Sequence, residues 1–291
     1  MYVTLVVAVL VLWAWWGLFD KKALGEANYL GVLLTNYTYS IPIFGISVIV
    51  LHFAHRNWRL DPHVFVWSAL CSLCTVGALT AYLAAMKRTE ASLVLGATAS
   101  YPIVTQLILI IFVNERVPLL QLIGSAIVVS GLIVLALSGG DKKGLAGKDR
   151  LFVWTCVAIA TLLWGIWAIC YREAAANNHN LEAYLGKCLT DGALLLVLLP
   201  FLKDNMHSPS SKPRLWGFCG LSSLCIYGGS LGFVTALRYG STGYVTVITS
   251  CYPALMYVFA VLFLKEKRNT LRALGILLVV AGGIAAYLGR S

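Results

Sequence analysis

The feature that most constrains this chain is a succession of apolar stretches, each about 20 residues long, running from one end to the other. Ten can be read, at about 2–19, 30–51, 64–86, 91–113, 119–138, 151–171, 182–202, 215–237, 242–264 and 271–289. Such a stretch, rising about 1.5 Å per residue, crosses the hydrocarbon core of a bilayer. Lipid offers no partner for free backbone N–H and C=O groups, so each stretch must be a helix. The expected fold class is all-α integral membrane with ten transmembrane helices. The run from Met1 to Phe19 has no basic residue ahead of it and no small-residue cleavage site behind it. It is expected to be a spanning helix rather than a cleaved signal.

Composition agrees. Of 291 residues, 59% are hydrophobic and 12% charged, against about 25% charged in soluble domains. The net charge of +10 would raise nucleic acid as a partner if the chain were soluble. Here nearly all Lys and Arg residues fall in the short connections, where they fix orientation and meet anionic headgroups. The expected partners are therefore the lipid bilayer and a small molecule, with no nucleic acid, in a plasma (inner) or organelle membrane. Most of the eight cysteines lie inside apolar runs and read as small buried hydrophobes.

Sliding the chain against itself by 151 residues aligns two halves without a gap. Trp13 falls on Trp164, Trp16 on Trp167, Thr98 on Thr249, and Tyr101-Pro102 on Tyr252-Pro253. Glu115 meets Glu266, Gly124 meets Gly275, and Gly131 meets Gly282. Five helices per half is an odd number, so two copies of one unit must enter the bilayer in opposite directions. This gives an inverted-topology repeat, which places a binding site near mid-membrane between the halves. The expected units are 1–138 and 151–291, with 139–150 as linker. Gly77 with Ala81, and Gly228 with Gly232, read as small-residue packing faces on the third and eighth helices.

Each half resembles an EamA domain, and the pair resembles the ten-helix members of the drug/metabolite transporter superfamily. The resemblance is carried by Leu163-Trp164-Gly165 with its counterpart Leu12-Trp13-Ala14, and by the stretch from Thr98 through Tyr101-Pro102 to Asn114-Glu115-Arg116, Gln121–Gly124 and Gly131. The second half repeats that stretch with Tyr252-Pro253, Glu266-Lys267, Gly275 and Gly282. The Gly usual before the Glu is Asn114 in one half and Lys265 in the other. The resemblance implies a transporter and leaves the substrate class open.

Ionisable residues inside a membrane helix are functional candidates by default. Lys187 and Asp191 lie one turn apart in the seventh helix, and the 151-residue shift maps them onto Asn36 and Ser40 in the second. Lys187 is expected to meet an anionic or zwitterionic solute, or to form with Asp191 a pair that the solute rearranges. The competing reading is a pair that merely neutralises itself. Tyr101 and Tyr252 offer hydroxyls beside Pro102 and Pro253, where a lost backbone bond permits a kink or hinge. Trp13 and Trp164 are candidates for an aromatic wall, and Tyr39 belongs to a polar run ahead of Pro42. Trp15, Trp16 and Trp167 are expected in packing or an interfacial belt, and Glu115 and Glu266 in capping or pairing with Arg116 and Lys267.

Other motifs are discounted. Gly228–Gly232 fits a nucleophile-elbow spacing but lies in an apolar helix. Cys71 and Cys74 lack a second pair, and His52, His55, Asp61 and His63 share one loop. Gly147-Lys148 lacks the rest of a phosphate loop. No cofactor or metal is expected, and no enzymatic activity. The odd-numbered connections hold 15 Lys and Arg residues, and the even ones with the C-terminus hold six. That places both termini on the non-cytoplasmic side, whereas the resemblance implies cytoplasmic termini. The expected function is movement of a small organic solute by alternating access; the alternatives are a non-transporting receptor or scaffold and an intramembrane enzyme.

Overall fold

The computed structural model describes residues 2–54, 58–59, 61–137, 147–206, 213–263 and 270–289. The first half holds α1 (Tyr2–Ala23), α2 (Tyr29–Thr38), α3 (Ser40–Phe53), α4 (Pro62–Arg88), α5 (Ala91–Thr98), α6 (Tyr101–Ile111) and α7 (Leu119–Leu137). The second holds α8 (Gly147–Ala174), α9 (Asn180–Met206), α10 (Pro213–Ala236), α11 (Thr242–Thr249), α12 (Tyr252–Phe263) and α13 (Thr270–Leu288). Three pairs (α2/α3, α5/α6 and α11/α12) are single membrane crossings interrupted once. Eight helical stretches are long and apolar enough to span, and two shorter apolar helices, α7 and α13, bring the number to ten. α8 already begins at Gly147, so the last residues expected as linker are helical.

The α5/α6 and α11/α12 interruptions have a shared cause. Pro102 and Pro253 carry no backbone N–H and clash with the carbonyl four residues back. Each helix therefore restarts at the Tyr-Pro step after one tightened turn. Ser100 N–H bonds Ala97 C=O at 3.2 Å and Cys251 N–H bonds Ile248 C=O at 3.1 Å, both at i−3 rather than i−4. The break precedes each Tyr-Pro, so Pro102 and Pro253 stand at the start of a half-helix and not inside a kinked one.

The halves pack through one another. α1 lies along α10, α4 along α8, and α7 along α13. Contacts recur at the 151-residue offset across these seams. Ser68 Oγ donates to Ala183 C=O while Cys219 Sγ faces Val32 C=O, and Ser72 Oγ donates to Lys187 C=O as Ser223 Oγ donates to Asn36 C=O. A Cβ on Gly77 would press on Leu163, and one on Gly228 on Leu12. Where α7 meets α13, a Cβ on Gly131 would stand 2.7 Å from Gly275 C=O, and one on Gly275 2.9 Å from Gly131 C=O. Small residues let the backbones touch where no hydrophobic drive operates between helices.

The two ends of the bundle are tied separately. Lys21 Nζ donates to the carbonyls of Met86 and Thr89, Lys87 Nζ to those of Leu24 and Ala27, and Arg88 faces Asp149 at 4.0 Å. These contacts join the first and third connections and the start of α8 at one end. At the other, Arg172 in the last turn of α8 pairs with Glu115 after α6 at 3.3 Å. Glu115 was expected to pair with Arg116 or cap a helix; the longer-range Arg172 takes it because α6 packs beside α8. Glu266, Lys265 and Lys267 lie outside the described residues. Phe53, Phe112, Leu119 and Phe201 are among the large apolar side chains turned outward, as a lipid-facing surface requires.

Candidate functional site

Where the two halves meet, α1, α2, α4, α6, α8, α9, α10 and α12 enclose a cavity of about 50 Å³. Its wall straddles the repeat axis: Trp13 faces in with Trp164, Trp16 with Trp167, Tyr101 with Tyr252, and Asn36 with Lys187. The aromatic groups pack edge to face. Trp13 meets Tyr252 at 5.8 Å and 80°, and Trp16 meets Trp164 at 5.8 Å and 86°, arrangements that aromatic quadrupoles favour. Tyr101 Oη lies 3.4 Å from Thr249 Oγ1, across the seam between the halves. Trp16 and Trp167 were expected in a belt or in packing; they belong to the cavity wall, because their three-residue offset from Trp13 and Trp164 keeps them on the buried stripe of α1 and α8.

The charged floor comes from α9. Lys187 and Asp191 are 4% and 1% exposed, and Nζ stands 2.6 Å from Oδ2. Tyr227 Oη from α10 donates to the same oxygen at 2.8 Å, and its ring lies 5.4 Å from the Lys187 Nζ. Asp191 Oδ1 is buried with no hydrogen-bond partner. An ion pair so sealed is held together by its own attraction and by every hydrogen bond it can gather. It keeps one acceptor unused beside a cavity.

Ser40 and Tyr39 are not part of this wall. The helix break at Tyr39 ends α2, so Ser40 does not continue the face that carries Asn36; its hydroxyl donates to Tyr37 C=O at 2.7 Å. Tyr39 points away, donating to Trp216 C=O at 2.8 Å. Pro102 and Pro253 stand behind the wall and set the positions of Tyr101 and Tyr252. Elsewhere, Gly228–Gly232 lies within α10, far from strand–turn–helix geometry. Asp61 caps α4 and His63 accepts from the Trp67 indole, while His55 lies outside the described residues.

Two participants escape a reading of the sequence. Tyr227 carries no charge to mark it, and its link to Asp191 spans 36 residues. Asp20 lies one residue past the first expected span, but α1 continues to Ala23 and buries it fully. Ser222 Oγ donates to Asp20 Oδ1 at 2.6 Å and Asn36 Nδ2 donates to it at 3.1 Å. Treating Asp20 as an intramembrane acid would have found it.

A helical bundle of two interlocked, oppositely inserted halves around a buried polar and aromatic cavity defines a membrane carrier. The chain belongs to the EamA-like transporter family, which matches residues 1–137 and 152–288, two copies at the offset read from the sequence. It is a membrane transporter of the drug/metabolite type. An uncharacterised transporter of Archaeoglobus fulgidus is 27% identical over 75% of this chain and 73% of its own length. A probable terminal-alkyne amino-acid exporter of Streptantibioticus cattleyicolor is 25% identical over 73% and 71%. A solved crystal structure superposes with a TM-score of 0.73 at 15% identity, covering 98% of both chains, and shares the fold.

Proposed function

We propose that this transporter moves a small zwitterionic solute of the amino-acid type, by alternating access about the cavity between its halves. The Lys187–Asp191 pair carries the proposal. A solute carboxylate can replace Asp191 at the Lys187 ammonium, while a solute ammonium takes the open Oδ1 of Asp191. Exchange of one pair of charges for another leaves no charge buried alone, and so avoids the cost that a lone anion or cation would incur. Trp13, Trp164, Tyr101 and Tyr252 supply an aromatic enclosure for the side chain and for the face of an ammonium group. The Streptantibioticus relative, named as a probable exporter of an amino acid, supports the same class. The cavity of about 50 Å³ holds a few water molecules, so admitting a solute requires the halves to part. The tightened turns before Tyr101 and Tyr252 are where that motion would bend the chain.

The test is counterflow in proteoliposomes with a matched set: leucine, isoamylamine lacking its carboxylate, and 4-methylpentanoate lacking its ammonium. Leucine should exchange and compete, and neither single-charge analogue should. Equal exchange of 4-methylpentanoate would overturn the zwitterion reading, as would unchanged leucine exchange in both Lys187→Met and Asp191→Asn.

A further inference from the structure

The two ends of the bundle are closed unequally, although the repeat makes them equivalent. At one end Lys21 Nζ donates to the carbonyls of Met86 and Thr89, and Lys87 Nζ to those of Leu24 and Ala27. The 151-residue shift maps Lys21 onto Arg172 and Lys87 onto Arg238. It maps the four carbonyls onto those of Leu237, Gly240, Ala175 and Asn178. Among the described residues neither arginine repeats those bonds. Arg172 turns to Glu115 at 3.3 Å and Glu173 at 3.0 Å, and Arg238 enters no ion pair. The turn that Arg238 would have closed is also built differently. Asn177 and Asn178 hold φ of 55° and 66°, left-handed values that their counterparts Glu26 and Ala27 do not adopt.

Where the closing bonds are not made lies a polar vestibule of about 500 Å³, a volume within the range of about 300–1,000 Å³ that small-molecule sites occupy. All four mapped carbonyl residues line it, together with Glu115, Arg172, Glu173 and Arg238. Its charges are sorted. Arg172 is shared by two carboxylates, which leaves one negative charge in surplus, and Arg238 supplies one positive. Ser241 and Thr242 open the first turn of α11 on the same space, and a helix N-terminus favours an anion. Asn180 also lines it and is 7% exposed; its Nδ2 donates to Val234 C=O, and its Oδ1 has no hydrogen-bond partner. An anion is thus offered a guanidinium and a helix start, and an ammonium a spare carboxylate and an amide oxygen. Between vestibule and central cavity, along α8 and α10, stand Tyr171 and Phe233, both fully buried. Trp167 of the cavity wall packs on them at 5.3 and 4.9 Å.

We infer that this vestibule is a second binding site for the zwitterionic solute, a waiting place parted from the central cavity by Tyr171 and Phe233. Arg238 and the start of α11 take the carboxylate; Glu115 and Glu173, relieved of one shared cation, take the ammonium. The inference rests on the amino-acid reading above for its ligand class, but not on the Lys187–Asp191 pair. Its charged groups are all reachable from water, so it holds solute loosely and releases it readily. A phosphatidylethanolamine headgroup carries the same two charges, and the test separates the two sources.

Ala176 lines the vestibule on the short turn that follows α8. In full-length Ala176→Cys protein, held in phosphatidylcholine nanodiscs, millimolar leucine should slow labelling by a membrane-impermeant thiosulfonate severalfold, with the parent protein as blank. The slowing should persist when Lys187→Met removes the central site, and vanish in Arg238→Gln, a change at an exposed position. Isoamylamine and 4-methylpentanoate should not slow it. Leucine that fails to slow labelling, or slows it equally in Arg238→Gln, overturns the inference. So does slowing that is lost in Lys187→Met, since the signal would then arise at the central cavity. Phosphatidylethanolamine nanodiscs that slow labelling without leucine, and leave leucine no further effect, overturn it in favour of a lipid headgroup. Protection that holds while Lys187→Met and Asp191→Asn leave leucine counterflow unchanged would support the vestibule and strike the central-site reading alone.

Discussion

The two halves are alike in backbone and unlike in charge. Ser72 holds the carbonyl of Lys187 as Ser223 holds that of Asn36, and the turns before Tyr101 and Tyr252 tighten through equivalent bonds. Yet at equivalent positions Lys187 faces Asn36, Asp191 faces Ser40, and Asp20 faces Tyr171. The acid–base pair thus belongs to the second half and the lone acid to the first. Close packing between halves tolerates little change, whereas a cavity wall can diverge as long as each charge finds a partner. Duplication supplied a symmetric scaffold, and divergence of a few wall positions gave it two chemically different sides.

The sharpest way to break the comparison is to impose one side's chemistry on the other. Asp191→Asn leaves Lys187 buried without its counter-charge and should destabilise the protein by about 3–5 kcal/mol. The double change Lys187→Asn with Asp191→Ser, which copies Asn36 and Ser40, should be markedly less destabilising than the single one and equally inactive. Thermal unfolding in detergent, with leucine counterflow alongside, measures both. A double variant as unstable as the single would mean that the pair shapes the fold and not only the site.

A smaller effect tests the symmetric part. Gly131 and Gly282 are equivalent, and each stands where a Cβ would press on the opposite backbone of the α7–α13 crossing. Gly131→Val and Gly282→Val should each cost about 1–3 kcal/mol by overpacking, and by similar amounts. Unequal losses in the same thermal assay would show that the crossing is not shared evenly between the halves.

The contrast also explains what the sequence could reveal. Spans and repeat are written in hydropathy and in a constant offset, both of which survive divergence, so the ten crossings and the two units were legible. Trp13, Trp164, Tyr101 and Tyr252 were legible as wall candidates because the repeat preserved them. Asp20 was not, since Asp20-Lys21-Lys22 reads as the polar end of a span, and only the extra turn of α1 carries the acid inward. Ser40 failed for the opposite reason: helical spacing put it on the face of Asn36, and the break at Tyr39 took it off. Tyr227 is bound to Asp191 by a contact between α9 and α10 that no local spacing encodes.

The least effect is expected at the bundle's two ends, where the halves again solve one problem in two ways. Position 21 holds Lys21, which donates to the final carbonyls of α4, as cations favour at a helix C-terminus. Its counterpart is Arg172, which pairs with Glu115 at 3.3 Å, the side chains being 31% and 24% exposed. An ion pair so open to water is worth about 0–1 kcal/mol and is weakened further by salt. A double-mutant cycle of Arg172→Ala and Glu115→Gln should therefore give a coupling within that range, smaller still at high ionic strength. A salt-insensitive coupling of about 2 kcal/mol or more would mean that this end is sealed from solvent, and that the Arg172–Glu115 contact locks α6 to α8 as firmly as the glycine crossing locks α7 to α13.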